Sequence, residues 1–169
     1  MWKWTIIVLI MMSLIGSVMW AMPTRRQTEQ AQLRSRARTF GFQVQLVTLE
    51  GPRASGEAEP EEFRRPAYRL LRHGVDSRVR ERLQPWRVFR VRALSCDGLP
   101  DGWSWTIGER MLDAGRLELL AEVLQSLPHD VVAVESTPIH VSALWGENGG
   151  VDELERIRDG LQRIIEGNF

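Results

Sequence analysis

Residues 131–145 read VVAVESTPIHVSALW. VVAVE, residues 131–135, is a nearly continuous apolar run, which is how a strand buried on both faces reads. In the second half, Ile139, Val141, Ala143 and Trp145 alternate with His140, Ser142 and Leu144, the period-two pattern of another strand. Gly146, Gly149 and Gly150 then mark a turn. Asp152 with Glu155 three residues on resembles a capping box. Leu154, Ile157, Leu161, Ile164 and Ile165 follow at helical spacing, so a helix runs to about Glu166. On the N-terminal side, residues 110–127 carry Met111, Leu112, Leu117, Leu119, Leu120, Val123, Leu124 and Leu127 on one broad apolar face. Pro128 stops that helix.

Further upstream the chain is richer in strands. FQVQLVTL, residues 42–49, sets Phe42, Val44 and Leu46 against Gln43 and Gln45. Residues 50–62 hold no large apolar side chain, which predicts a mobile connection over about 50–64. A second strand is expected over residues 67–72, with Tyr68 and Leu70 inward. An Arg-rich helical turn or loop over 75–83 is closed by Pro85. WRVFRVRAL, residues 86–94, reads as a strand. After the turn-rich CDGLPDG, WSWTIGE puts Trp103, Trp105 and Ile107 on one face if extended. This order predicts an α+β fold: a mostly antiparallel sheet with two or three helices packed on one face. Residues 42–169 are enough for one such core.

The N-terminus predicts something else. No ionisable side chain occurs from residue 4 to residue 24. The run TIIVLIMMSLIGSVMWAM, residues 5–22, would cross a bilayer core of about 30 Å as a helix. Trp2 and Trp4 at one end and Trp20 at the other suit the two headgroup interfaces. The expectation is a transmembrane anchor over residues 1–22. A basic juxtamembrane helix over 23–41 follows, capped by Thr24 and stopped by Gly41. Arg25, Arg26, Arg34, Arg36 and Arg38 outweigh Lys3, so the positive-inside rule predicts N-out with the C-terminal domain in the cytoplasm. The same arginines would either meet anionic headgroups or line a solvated stalk. Cleavage as a signal peptide is disfavoured by Met19 at the −3 position. The single Cys96 agrees with a reducing compartment.

Charge is balanced at 22 Lys plus Arg against 22 Asp plus Glu, which disfavours a general polyanion or nucleic-acid binder. The balance hides a split. Residues 1–92 hold 17 bases and 8 acids, and residues 93–169 hold 5 bases and 14 acids. The main feature beyond the N-terminus is a band of ten arginines: Arg64, Arg65, Arg69, Arg72, Arg78, Arg80, Arg82, Arg87, Arg90 and Arg92. Three partners compete for it: lipid, RNA stacked on Tyr68, Trp86 and Phe89, and the acidic half of this chain or of another protomer. Lipid or protein contact is favoured, since no RNA-binding signature is present.

No catalytic, cofactor-binding or metal site is expected. GENGG and GPRASG match no phosphate-binding loop. His73, His129 and His140 lack ligand-spaced partners. Cys96 has Asp97 beside it, which disfavours a thiolate. Glu118 and Glu122 read as a solvated face, and the acids at residues 152–155 suit a helix N-terminus. Trp103 and Trp105 read as core rather than as an exposed anchor.

MPTRRQTEQ, residues 22–30, directly after the apolar run, resembles the entry into the cytoplasm of YajC-type preprotein translocase accessory subunits. The likeness covers residues 5–45. The remainder, with GLPDGWSW and TPIHVSALWGENGG, resembles a bacterial single-pass membrane protein family. The resemblance implies an accessory role at the inner membrane and carries over no catalytic residue. The expected function is therefore a non-enzymatic, single-pass inner-membrane protein. Its cytoplasmic domain would bind membrane lipid and a protein partner, with homo-oligomers allowed. The alternatives are a membrane-tethered enzyme of unrecognised type and a periplasmic domain on a signal anchor.

Overall fold

A computed structural model describes the chain except Met1, Met22, Pro23, Ser55, Glu57 and Ala58, and gives residues 18–21 as helix backbone. The chain divides into two compact units, Met1–Gln32 and Leu33–Phe169. The first holds the helix α1, Trp2–Ala21, and the start of α2, Arg25–Thr39. Thr24 caps α2 through its Oγ1, which accepts from the Gln27 amide at 3.3 Å.

The membrane span is not borne out. Among the described residues, no helix is long and apolar enough to cross a membrane. The expectation counted an unbroken apolar run to residue 22. The side chains of residues 18–22 of that run lie outside the described residues. The transmembrane anchor, the single-pass inner-membrane placement and the N-out orientation with a cytoplasmic domain all rested on that run. They are withdrawn with it.

The second unit has the expected α+β character. Its sheet has six strands, all pairs antiparallel, in the order β1-β2-β6-β5-β3-β4. The strands are β1 Gln43–Glu50, β2 Glu62–Leu71, β3 Trp86–Phe89, β4 Ser104–Ile107, β5 Val131–Ser136 and β6 His140–Trp145. The remaining helices are α3 Ser77–Arg82, α4 Ala114–Ser126 and α5 Val151–Glu166. β5 and β6 lie in the interior of the sheet, which explains their near-continuous burial. Helix α2 ends as the sequence predicts: Gly41 takes φ +87°, and the Phe42 amide reaches back to the Ala37 carbonyl at 3.0 Å. This closes a Schellman motif.

One face of the sheet carries the main core. Tyr68, Trp86, Val88, Val134, Val141 and Trp145 pack with Leu33 and Ala37 of α2, Leu120 and Val123 of α4, and Leu154 and Ile157 of α5. Gly160 lets α5 approach α4, since a Cβ there would sit 3.1 Å from Val123. The N-terminus of α5 differs in detail from expectation. It is the Glu153 carboxylate, not that of Glu155, that accepts from the Gly150 amide at 2.8 Å.

The opposite face is closed by the chain itself. Phe63 in β2 meets Phe89 in β3 with ring centroids 5.3 Å apart. In the sheet these strands are separated by β6 and β5, about 14 Å at normal strand spacing. The β1–β2 ribbon beyond Pro66 therefore bends over the sheet. Pro66 suits the departure point, because the β2–β6 ladder begins at Ala67 and Pro has no N–H to give it. Phe63, Val47 and Leu49 then cover Ala67, Phe89, Ala133 and Leu144. β2 is longer than the predicted 67–72 because its first residues belong to this arm. β3 stops at Phe89, earlier than predicted, although the Arg90 amide still reaches the Val132 carbonyl at 2.8 Å.

Candidate functional site

The most open hydrogen-bonding feature of the second unit is the outer edge of β1. Its sequence, QVQLVTLE, is rich in branched residues and carries no Pro and no charge before Glu50. It pairs with β2 along its whole length, from Gln43↔Arg69 to Glu50↔Glu62, without a bulge. The Gly51 amide donates to the Glu61 carbonyl at 2.9 Å, which sets the phase of the ladder. By alternation, residues 43, 45, 47 and 49 turn their N–H and C=O groups towards β2, and Val44, Leu46, Thr48 and Glu50 turn theirs outward. Leu46, in the middle of the edge, is 55% exposed. Edge strands are usually blunted by shortness, charge, Pro or a bulge. The other edge, β4, is only four residues long. β1 has none of these protections before its last residue.

The strand next to it, β2, carries three arginines against one acid, Glu62. Arg64 and Arg65 of β2 lie opposite Thr48 and Val47, short side chains over which a guanidinium can extend. Arg69 lies opposite Gln43 and donates to the Gln45 side chain at 2.6 Å.

The ten-arginine band does not form one surface. Arg72 is buried, its Nη2 donating to Ser136 Oγ at 2.8 Å and to the Phe169 main-chain oxygen at 2.6 Å. Burial lowers its pKa to about 10, so it stays charged at pH 7. Arg90 donates to the Val131 and Pro128 carbonyls and lies 4.7 Å over the Trp103 ring. Arg87 pairs with Glu135 at 2.9 Å, and Arg92 lies 3.9 Å from Asp101 at the surface. Arg78, Arg80 and Arg82 are exposed on α3. The basic and acidic halves thus meet within one chain, at Arg34–Glu147, Arg87–Glu135 and Arg92–Asp101.

The residues assigned to a membrane interface are dispersed. Trp2 and Trp4 are exposed on α1, and the Trp20 side chain lies outside the described residues. Arg25 pairs with Glu29 at 3.2 Å, and Arg36 lies 5.7 Å from the Phe40 ring. Arg26 takes part in an interaction, and Arg38 is exposed. Arg34 has an internal role that its position in a basic helix does not suggest. Its Nε and Nη2 donate to the two oxygens of Glu147, both at 2.7 Å. The Tyr68 hydroxyl donates to the same carboxylate at 2.6 Å. Burial first, and then this carboxylate, hold the phenol protonated far above its usual range. Trp103 and Trp105 are buried, as expected of core, and the Trp105 indole donates to the Asp97 carbonyl at 3.0 Å.

A second polar group lies on the arm-side face. Arg69, Ser142, Glu135 and Arg87 stand side by side across β2, β6, β5 and β3. His140 Nε2 lies 3.7 Å from Glu135, beyond hydrogen-bonding distance, and its Nδ1 contacts Thr137 Oγ1 at 3.2 Å. The nearby imidazole is the largest influence lowering the Glu135 pKa, with Arg87 adding to it against the opposing effect of burial. Below the ordinary value of 4.5, the folded state therefore binds fewer protons at Glu135 than the unfolded chain does. Stability is fully expressed above that pH and lost as pH falls through the depressed folded value. Urea titrations of the parent and Glu135→Gln across acid pH should show a flatter pH dependence in the variant. An unchanged slope would remove Glu135 as the source.

Cys96 is exposed. Among the described residues no group of three or more His, Cys, Asp or Glu is placed to hold a metal ion. No known protein family, no curated protein and no solved structure matches this chain.

Proposed function

We propose that the second unit is a protein-interaction domain that binds an extended, acidic segment of a partner by strand addition to β1. The unprotected outer edge of β1 carries the reading. Four successive outward residues, Val44, Leu46, Thr48 and Glu50, have main-chain groups that pair with no other strand among the described residues and can continue the ladder. The flanking charge chooses the partner. Arg64, Arg65 and Arg69 on the adjacent strand favour carboxylates on an added strand about 10 Å away.

The test separates the two edges of one strand. Leu46→Pro removes an outward N–H and leaves the inward ladder to β2 intact, so the fold survives. The probe is a short peptide of alternating Val and Glu, with the Val–Lys counterpart as control. In the free protein, the amides of residues 44, 46, 48 and 50 should exchange with solvent much faster than those of 43, 45, 47 and 49. The acidic peptide should slow exchange at the outward set only, and Leu46→Pro should abolish its binding. Equal affinity for the basic peptide, or undiminished binding by a folded Leu46→Pro variant, would sink the proposal.

A further inference from the structure

A cavity of about 220 Å³ opens between α3, the start of β3 and the turn before α4. Its floor is aromatic: Trp86 and Phe169 stack at 6.1 Å with planes 19° apart, and Met111 completes the apolar wall. Its polar side chains are Arg82, Arg116, Gln84 and Asn168, two cations and two carboxamides, while the main-chain oxygen of Phe169, another lining residue, accepts from Arg72 and Ser136. Arg116 has one ion pair, with Asp113 at 3.5 Å, and Arg82 makes none with a described residue. Among the described residues, the buried Trp86 indole N–H has no acceptor.

The wall beside Trp86 is set by a glycine. Gly108 has φ +91°, and a Cβ there would sit 2.5 Å from Trp86 Cβ. Only Gly lets the turn close against the ring. The Met111 amide then bonds the Gly108 carbonyl at 3.1 Å, which places Met111 in the wall.

We infer that this cavity binds a small organic carboxylate with a compact apolar body. The cations and amide donors match an anionic head, because charge-assisted bonds to a carboxylate are the strong class of hydrogen bond. The Trp86–Phe169 floor matches the apolar body. The volume lies below the roughly 300–1,000 Å³ of sites for drug-sized molecules, which limits the occupant to about the size of benzoate.

The experiment uses the full chain, benzoate as probe and benzyl alcohol as its neutral counterpart. Binding is followed by amide and indole shifts in two-dimensional NMR. Benzoate should give saturable shifts at Gln84, Met111, Asn168 and the Trp86 indole N–H. Benzyl alcohol should bind about tenfold more weakly, and Arg82→Gln and Arg116→Gln should each weaken benzoate by about the same factor. Both arginines are exposed, so these variants keep the fold. Gly108→Val should also abolish binding by displacing the wall. The inference fails if benzoate gives no saturable shifts, if benzyl alcohol binds equally well, or if both arginine variants bind benzoate like the parent.

Discussion

Replacing Arg34 by Met is expected to cost about 3 kcal/mol of stability, and replacing Glu147 by Gln only about 1 kcal/mol. The two changes break the same ion pair, so a view that counts pairs predicts equal losses. Their surroundings differ. The Glu147 side chain is 2% exposed, whereas that of Arg34 is 44% exposed. Without Arg34, a buried carboxylate keeps the Tyr68 hydroxyl as a strong donor but has lost both guanidinium bonds, and breaking a buried pair from one side costs about 3–5 kcal/mol. The value sits at the lower end because water can enter where Arg34 stood. Without the Glu147 charge, Arg34 turns to solvent, and the Gln carbonyl can still accept from Tyr68. The double variant should be more stable than Arg34→Met alone, because no buried charge remains. Urea unfolding of the four proteins closes the cycle. A Glu147→Gln loss as large as that of Arg34→Met would show that burial does not set the asymmetry.

This cluster also marks where the sequence stops being readable. The alternation in residues 139–145 and the glycines after it predicted β6 and the helix beyond, because period and punctuation are local properties. The Arg34–Glu147 contact joins residues 113 apart. Nothing near Arg34 distinguishes it from Arg36 or Arg38, so it was grouped with a membrane-facing set. Glu147 carried one local hint, a position inside GENGG, where its φ of +57° is a value L-residues rarely adopt. The same limit applied to β1. Its strand pattern was plain, but its place at the edge depends on which strands pair, and pairing is settled by contacts across the chain. Glu62, Phe63, Arg64 and Arg65 were missed as strand because they pair with β1 alone, in an arm that bends over the sheet. The N-terminal error had a different origin. The expected anchor, orientation and compartment all follow from one run, residues 5–22, and fall together with it.

Trp145→Ala should be the most damaging single substitution in the core, costing about 4 kcal/mol, while Trp145→Phe should cost less than about 1.5 kcal/mol. Trp145 is fully buried at the end of β6 and meets the Tyr68 ring edge-on at 5.2 Å. Truncation to Ala leaves a cavity between the sheet and α5 and strips an aromatic partner from Tyr68. Phe keeps a ring in the same slot and removes the indole N–H, which is buried and has no acceptor among the described residues. An unsatisfied buried donor costs about 1–3 kcal/mol, so its removal offsets much of the lost volume. Equal losses for Phe and Ala in urea unfolding would mean that the N–H is satisfied in solution. Tyr68 links this site to the first one, since its ring packs on Trp145 and its hydroxyl serves Glu147. Trp145→Ala frees the ring and loosens the hydroxyl, so it already weakens part of what Arg34→Met removes. The two losses should therefore combine to less than their sum.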